Sequence, residues 1–205
     1  MYKELLDKFF RENKITDTMP SAQALAQFMM RMAANPEVES KLQNFMDETI
    51  YEHSPERIAE ATPGKAEIAA ASTSAEIIRI MRRDVDLLNR PALVEKAMEM
   101  EAEVVQEVVR RLKTNLNTGF IEISLQFLAR STMDVSEEII EYFDEMRSPY
   151  AQSMALVLLG FKADEKHIPW FIEKHNAFKK LYPCENYYQG AFYALAEMEG
   201  RFYLQ

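Results

Sequence analysis

One cysteine, Cys184, is all the sequence offers in 205 residues. No intrachain disulfide can form, and no cysteine-built zinc site. Histidine is nearly as scarce, with His53, His167 and His175. None has a glutamate three positions before it, so the Glu-x-x-His pattern of carboxylate-bridged di-iron bundles is missing. His167 and His175 are too far apart along a helix to share a metal. With only 5 glycines there is no Gly-rich phosphate loop, no G-x-S-x-G and no H-E-x-x-H. Long apolar runs are absent too, which excludes a membrane-spanning helix. The opening "MYKELLDKFFRENKI" is charged throughout and lacks the apolar core of a signal peptide. These absences lead to the expectation of a cytoplasmic protein without cofactor or metal. The net charge is −9. Such a chain repels phosphate backbones, so a nucleic-acid partner would need a local basic patch.

What the sequence does contain is helix. Asn35-Pro36, Ser54-Pro55, Thr62-Pro63 and Ser148-Pro149 each place a capping side chain before a proline suited to the first helical turn. Thr73 with Glu76, and Asp134 with Glu137, have capping-box spacing. Apolar residues recur every three or four positions rather than every two. One stripe is Leu25, Phe28, Met29 and Met32, and a second is Val38, Leu42, Phe45, Met46 and Ile50. Ile77, Ile78, Met81, Val85 and Leu88 follow. The longest runs from Pro91 to about Lys113 through Val94, Met98, Val105, Val108 and Leu112. Ile121, Leu125 and Leu128 come next, then Val135, Ile139, Phe143 and Met146. Ile168, Phe171, Ile172 and His175 precede Phe192, Leu195 and Met198. The expected fold is all-α, with about nine to eleven helices. The Ala/Ser/Thr-rich stretch "ATPGKAEIAAASTS", residues 61–74, suggests a division between an N-terminal helical segment (1–61) and a helical region (74–205). One continuous α-domain is the other reading.

The region after residue 90 repeats. A shift of 30 pairs Phe120 with Tyr150, Glu122 with Gln152, Phe127 with Val157, Leu128 with Leu158 and Asp134 with Asp164. A shift of 37 pairs Tyr150 with Tyr187, Gln152 with Gln189, Leu158 with Leu195, and the small Ser153 with Gly190. A helix pair per period is the mark of an α-solenoid. "YAQSMALVLLGFKADEKHIPWFIEK" resembles a HEAT repeat, with Ala151, Ala155, Leu158, Leu159, Gly160, Asp164, Ile168 and Ile172 at the matching positions. It departs from that pattern after the turn aspartate, where Glu165-Lys166 stand. The resemblance implies antiparallel helix pairs stacked as a short right-handed solenoid over roughly residues 90–205. An irregular helical bundle is the alternative.

The resemblance also implies that the second helix of each pair lines a face that binds protein or peptide. On the helix after Asp134, the core stripe leaves Glu138, Glu141, Tyr142 and Glu145 pointing outward. On the helix after Asp164 it leaves Lys166, His167, Trp170 and Lys174. Trp170 is the lone tryptophan, and large rigid aromatics dominate interface energies. Trp170, Tyr142, Lys166, Lys174, Glu138, Glu141 and Glu145 are therefore the candidate binding surface. The competing reading seats Trp170 half-buried at the seam between repeats. The aromatic tail (Tyr187, Tyr188, Phe192, Tyr193, Phe202, Tyr203) reads as a cover for the open end of the stack.

Two features point elsewhere. Glu95, Glu99, Glu103 and Glu107 recur every four residues, a repulsive spacing in one helix. Arg79, Arg82 and Arg83 on the preceding helix would answer them if the two helices lie antiparallel, with Arg82 or Arg83 near Glu95 and Glu99, and Arg79 near Glu103. A strip for a basic partner is the alternative. Glu101 falls within the apolar stripe. It is either a buried acid–base group or a margin residue paired with an arginine such as Arg130. An enzyme using Glu101, or one resembling the HEAT-like alkylpurine DNA glycosylases, is the alternative function. The acidic balance speaks against the second, and Arg110, Arg111 and Lys113 read as complements to the end of their own helix.

Overall fold

The computed structural model describes residues 1–46, 54–83 and 85–204, except the side chains of Leu42, Gln43, Phe45 and Met46. His53 and Ile50, with those last apolar positions of the second stripe, lie outside the described residues. All regular structure among the described residues is helical, in twelve α-helices without a strand. No helix among them is long and apolar enough to cross a membrane.

The chain forms two compact units, residues 29–133 and residues 1–28 with 134–205. The first contains α3 (Pro36–Met46), α4 (Pro55–Ala70), α5 (Ser74–Met81), α6 (Arg90–Met98), α7 (Glu101–Leu112) and α8 (Thr118–Arg130). The second contains α1 (Tyr2–Glu12), α9 (Ser136–Tyr142), α10 (Pro149–Lys162), α11 (Ile168–Leu181) and α12 (Gln189–Tyr203). Helix α2 (Ala22–Ala33) crosses the boundary. The division expected at 61–74 falls inside the 29–133 unit, where α4 is continuous through residue 70.

Local signals explain most helix starts. Ser148 Oγ accepts the Ala151 amide at 3.1 Å, ahead of Pro149. Thr73 and Glu76 form the complete capping box. Two expected starts are not used. Thr62-Pro63 lies inside α4, where the Thr62 hydroxyl donates to the Ile58 carbonyl at 2.7 Å instead of capping. Asp134 accepts from the Ser136 amide and hydroxyl at 2.9 and 2.6 Å, so α9 begins one residue later than the box spacing implies.

The long helix expected from Pro91 to Lys113 is two helices. Met100 leaves the helical region at φ −128°, ψ 39°. A continuous helix would hold Glu101 in the buried stripe. The break makes Glu101 the first residue of α7, where a carboxylate meets the positive end of the helix dipole. It also ends the four-residue glutamate register, because Glu95 and Glu99 belong to α6 and its cap while Glu103 and Glu107 belong to α7.

Each unit is organised around one helix buried on all sides. In α8 every residue from Phe120 to Ala129 is buried except Glu122, and in α10 residues 151 and 153–160 are buried. A helix apolar around its whole circumference belongs in a core. Contacts order the neighbours. Ser153 approaches Gly190, and Gly160 approaches Ala194, so α10 and α12 run in the same direction. Glu137 meets Lys166, and Asp144 meets Lys174, so α9 and α11 also run together. His175 stacks on Tyr188, and Glu165 bonds Tyr203, so α11 and α12 run oppositely. In the 29–133 unit, Arg90–Glu122 and Arg130–Glu95 make α6 and α8 co-directional.

Part of one stripe expected to be core lies at the surface. Leu25 and Phe28 are 55% and 52% exposed, while Met29 and Met32 are half-buried. Helix α2 turns Gln23, Met30 and Ala33 inward instead; Gln23 donates to Ser153 Oγ at 3.0 Å and Gln27 to the Tyr193 carbonyl at 3.2 Å.

Candidate functional site

Helix α9 and the short turn after it (Phe143–Glu145) lie beside the turn Glu165–His167 and α11, and they meet through side chains thirty residues apart. His167 meets Glu137 at 3.1 Å across a separation of 30 residues. Lys174 donates to Asp144 at 2.5 Å across the same separation. Lys166 pairs with Glu137 at 2.7 Å, and these two partners hold the Glu137 carboxyl below the usual carboxylate range.

Between the two ion pairs sits Trp170. It is half-buried rather than fully outward. Its ring meets Phe143 and Phe171 edge-on at 5.1 Å each, and Lys174 Nζ lies 5.5 Å from its centre. A tryptophan held this way loses little side-chain freedom if a partner covers its exposed edge. Lys174 is folded over it, its side chain 13% exposed. Tyr142 is also part-buried, and burial raises its hydroxyl pKa. Glu138, Glu141, Glu145 and Lys166 are exposed as expected. The face therefore has an ordered aromatic, a carboxylate ridge and one exposed ammonium. Rotation of α11 by a fraction of a turn separates this arrangement from the sequence expectation, and periodicity alone does not resolve such a rotation.

Glu101 is engaged as a cap. It accepts from the Ser131 hydroxyl at 2.7 Å and from the Thr132 amide and hydroxyl at 2.5 and 3.0 Å. The Ser131 bond first, then the Thr132 amide, holds its carboxyl below the usual range. Arg130, the suggested partner, bonds Glu39 at 3.2 Å and Glu95 at 2.6 Å instead. A carboxylate that favours its charged form is a poor general acid near neutrality. Glu101→Ala is expected to cost about 1 kcal/mol at pH 7, discounted for partial exposure. Because the folded pKa is depressed, that stabilisation is present above the unfolded value of about 4.3 and lost as pH falls through the folded value. Urea unfolding of both proteins at pH 7 and pH 3 checks this, with the difference smaller at the lower pH.

The glutamates of the former strip have separate partners. Glu95 meets Arg130, Glu99 meets Lys96 at 2.5 Å, and Glu107 meets Arg110 and Arg111 at 2.8 and 2.5 Å. The expected pairing of Arg79, Arg82 and Arg83 with Glu95, Glu99 and Glu103 is not made. Arg79 and Arg83 both turn to Glu67, at 3.6 and 2.6 Å. Sequence reading missed what this leaves: Arg79, Arg82, Arg110 and Arg111 line one cleft. They are distant in sequence, so no motif announces them.

Among the described residues no group of three His, Cys, Asp and Glu side chains is placed to hold a metal ion. Comparison of the chain with protein-family models, curated proteins and solved structures yields no match.

Proposed function

We propose that the protein is a non-enzymatic interaction module that binds a protein or peptide partner on the α9–α11 face. The observation that carries this reading is Trp170, pinned between Phe143, Phe171 and Lys174 with exposed Glu138 and Glu141 on the neighbouring helix. An ordered aromatic with a charged rim has the anatomy of an interface hot spot. The co-directional stacking of α9 on α11 and of α10 on α12 supports a HEAT-like arrangement of this region. In that arrangement α9 and α11 are the second helices of successive repeats. The carboxylate ridge favours a partner with basic side chains.

The test is capture of partners from the native cell with wild type, Trp170→Ala and the double variant Glu138→Lys/Glu141→Lys. A partner retained by wild type and lost from both variants, whose thermal midpoints stay within a few degrees of wild type, supports the reading. Equal capture by all three contradicts it. Loss of the tryptophan contact is expected to weaken binding by at least 2 kcal/mol, about thirtyfold.

A further inference from the structure

A second site, on the 29–133 unit, does not depend on the α9–α11 face. Helices α5 and α7 enclose a cleft of about 490 Å³, a size typical of ligand pockets. Asn117, in the turn that leaves α7, donates from Nδ2 to the Arg82 carbonyl at 3.3 Å, and the Arg83 carbonyl lies beside Gly119. The end of α5 therefore abuts the start of α8, a short loop beyond the end of α7. Arg79 and Arg82 gather there with Arg110 and Arg111, while Ser74 and Glu103 line the opposite end, and the buried Ile78 forms apolar floor between them.

Two of the four arginines are ordered before any ligand arrives. Glu107 accepts from Arg110 Nε and Nη2 at 2.9 and 2.8 Å and from Arg111 Nε at 2.5 Å. One carboxylate thus fixes two guanidiniums by a single edge each. Arg79 has only a 3.6 Å approach to Glu67, whose same oxygen is taken by Arg83 at 2.6 Å. The Arg82 side chain has no partner among the described residues. In a chain of net charge −9, such a gathering is a local reversal of sign.

We propose that this cleft binds a short extended segment of a partner protein, with an acidic side chain against Arg82, Arg110 and Arg111 and a basic side chain against Glu103. The α5 turns from Ser74 to Arg82 span roughly 12 Å, the length of about four extended residues. A free phosphate would use the arginine end and leave Glu103 and the floor uncovered. A continuous phosphate backbone would meet Glu103 and the acidic surroundings with repulsion. A segment of mixed charge satisfies both ends.

The experiment is an NMR titration of the arginine Nε–H resonances with acetyl-Glu-Ala-Ala-Lys-amide, acetyl-Glu-Ala-Ala-Glu-amide and inorganic phosphate. The mixed-charge peptide is expected to shift Arg82, Arg110 and Arg111 saturably and more tightly than the all-acidic one. Arg82→Gln with Arg110→Gln should weaken it about tenfold, and Glu103→Gln should remove the preference between the peptides. Absence of saturable shifts overturns the proposal. So does equal binding of both peptides to wild type, or saturation by phosphate that neither peptide competes, which would mark a small-anion site instead.

Discussion

Gly190→Ala is expected to lower the unfolding free energy by about 3 kcal/mol, the upper range for overpacking a tight contact. A methyl group at Gly190 would overlap the Ser153 carbonyl oxygen and lie 2.7 Å from its hydroxyl. Both neighbours are held. The carbonyl is helix backbone, and the hydroxyl donates to the Tyr187 carbonyl at 2.7 Å while accepting from Gln23 at 3.0 Å. Relief therefore requires α10 and α12 to move apart, loosening Leu159, Ala194 and Leu195, all fully buried. Gly160→Ala meets the same seam from the other side, 2.6 Å from the Ala194 Cα, and should destabilise comparably. Gly200 is the control. Nothing lies within 4 Å of its added carbon, so Gly200→Ala should be neutral or stabilising by up to about 1 kcal/mol through helix propensity. Urea unfolding of the three variants gives the answer. A Gly190→Ala midpoint equal to that of Gly200→Ala would refute the close approach of the two helices.

Stability should also fall between pH 7 and pH 5 because of His175. The imidazole is 1% exposed, packed edge-on against Phe9 at 4.8 Å and Tyr188 at 5.4 Å. Its Nε2 has no hydrogen-bond partner among the described residues. Burial lowers its pKa from 6.5 to about 4, Lys179 adds to the lowering, and Asn176 opposes it. The unfolded chain then binds a proton at a pH where the folded chain does not. Above about 6.5 there is no penalty, and the loss grows as pH falls toward the folded value. At pH 5 the loss is about 2 kcal/mol relative to pH 7. His175→Phe keeps the aromatic packing and removes the proton site. Its unfolding free energy should be nearly flat across this window, and should exceed that of wild type at pH 5. A wild-type curve as flat as that of the variant would mean that the ring is solvated or paired in solution.

Helix content was legible in the sequence because capping side chains, N1 prolines and apolar spacing agree, as at Ser148-Pro149 and at Thr73 with Glu76. Side chains thirty residues apart, Glu137 with His167 and Asp144 with Lys174, meet in space at the separation that the shift of 30 read in the sequence. The shift of 37 marks another such contact, Ser153 with Gly190. Three things escaped. The break at Met100 carries neither glycine nor proline, and is set by where Glu101 finds its donors. The exposed Leu25 and Phe28 look like core because their spacing is helical, while α2 buries Gln23, Met30 and Ala33, a face whose polar Gln23 no hydropathy pattern marks. The arginine cleft joins residues from two helices whose proximity is a property of the fold. At the candidate face, the residue identities were readable but their depth was not: Trp170, Tyr142 and Lys174 are partly withdrawn by packing, while Lys166, Glu138 and Glu141 are not.

The most direct test of the interaction face is oxidative footprinting of the protein alone and in complex with a captured partner. The account expects Trp170 to be modified in the free protein and strongly protected in the complex, together with residues of α9. Trp170 modified at the same rate in free protein and intact complex would contradict it.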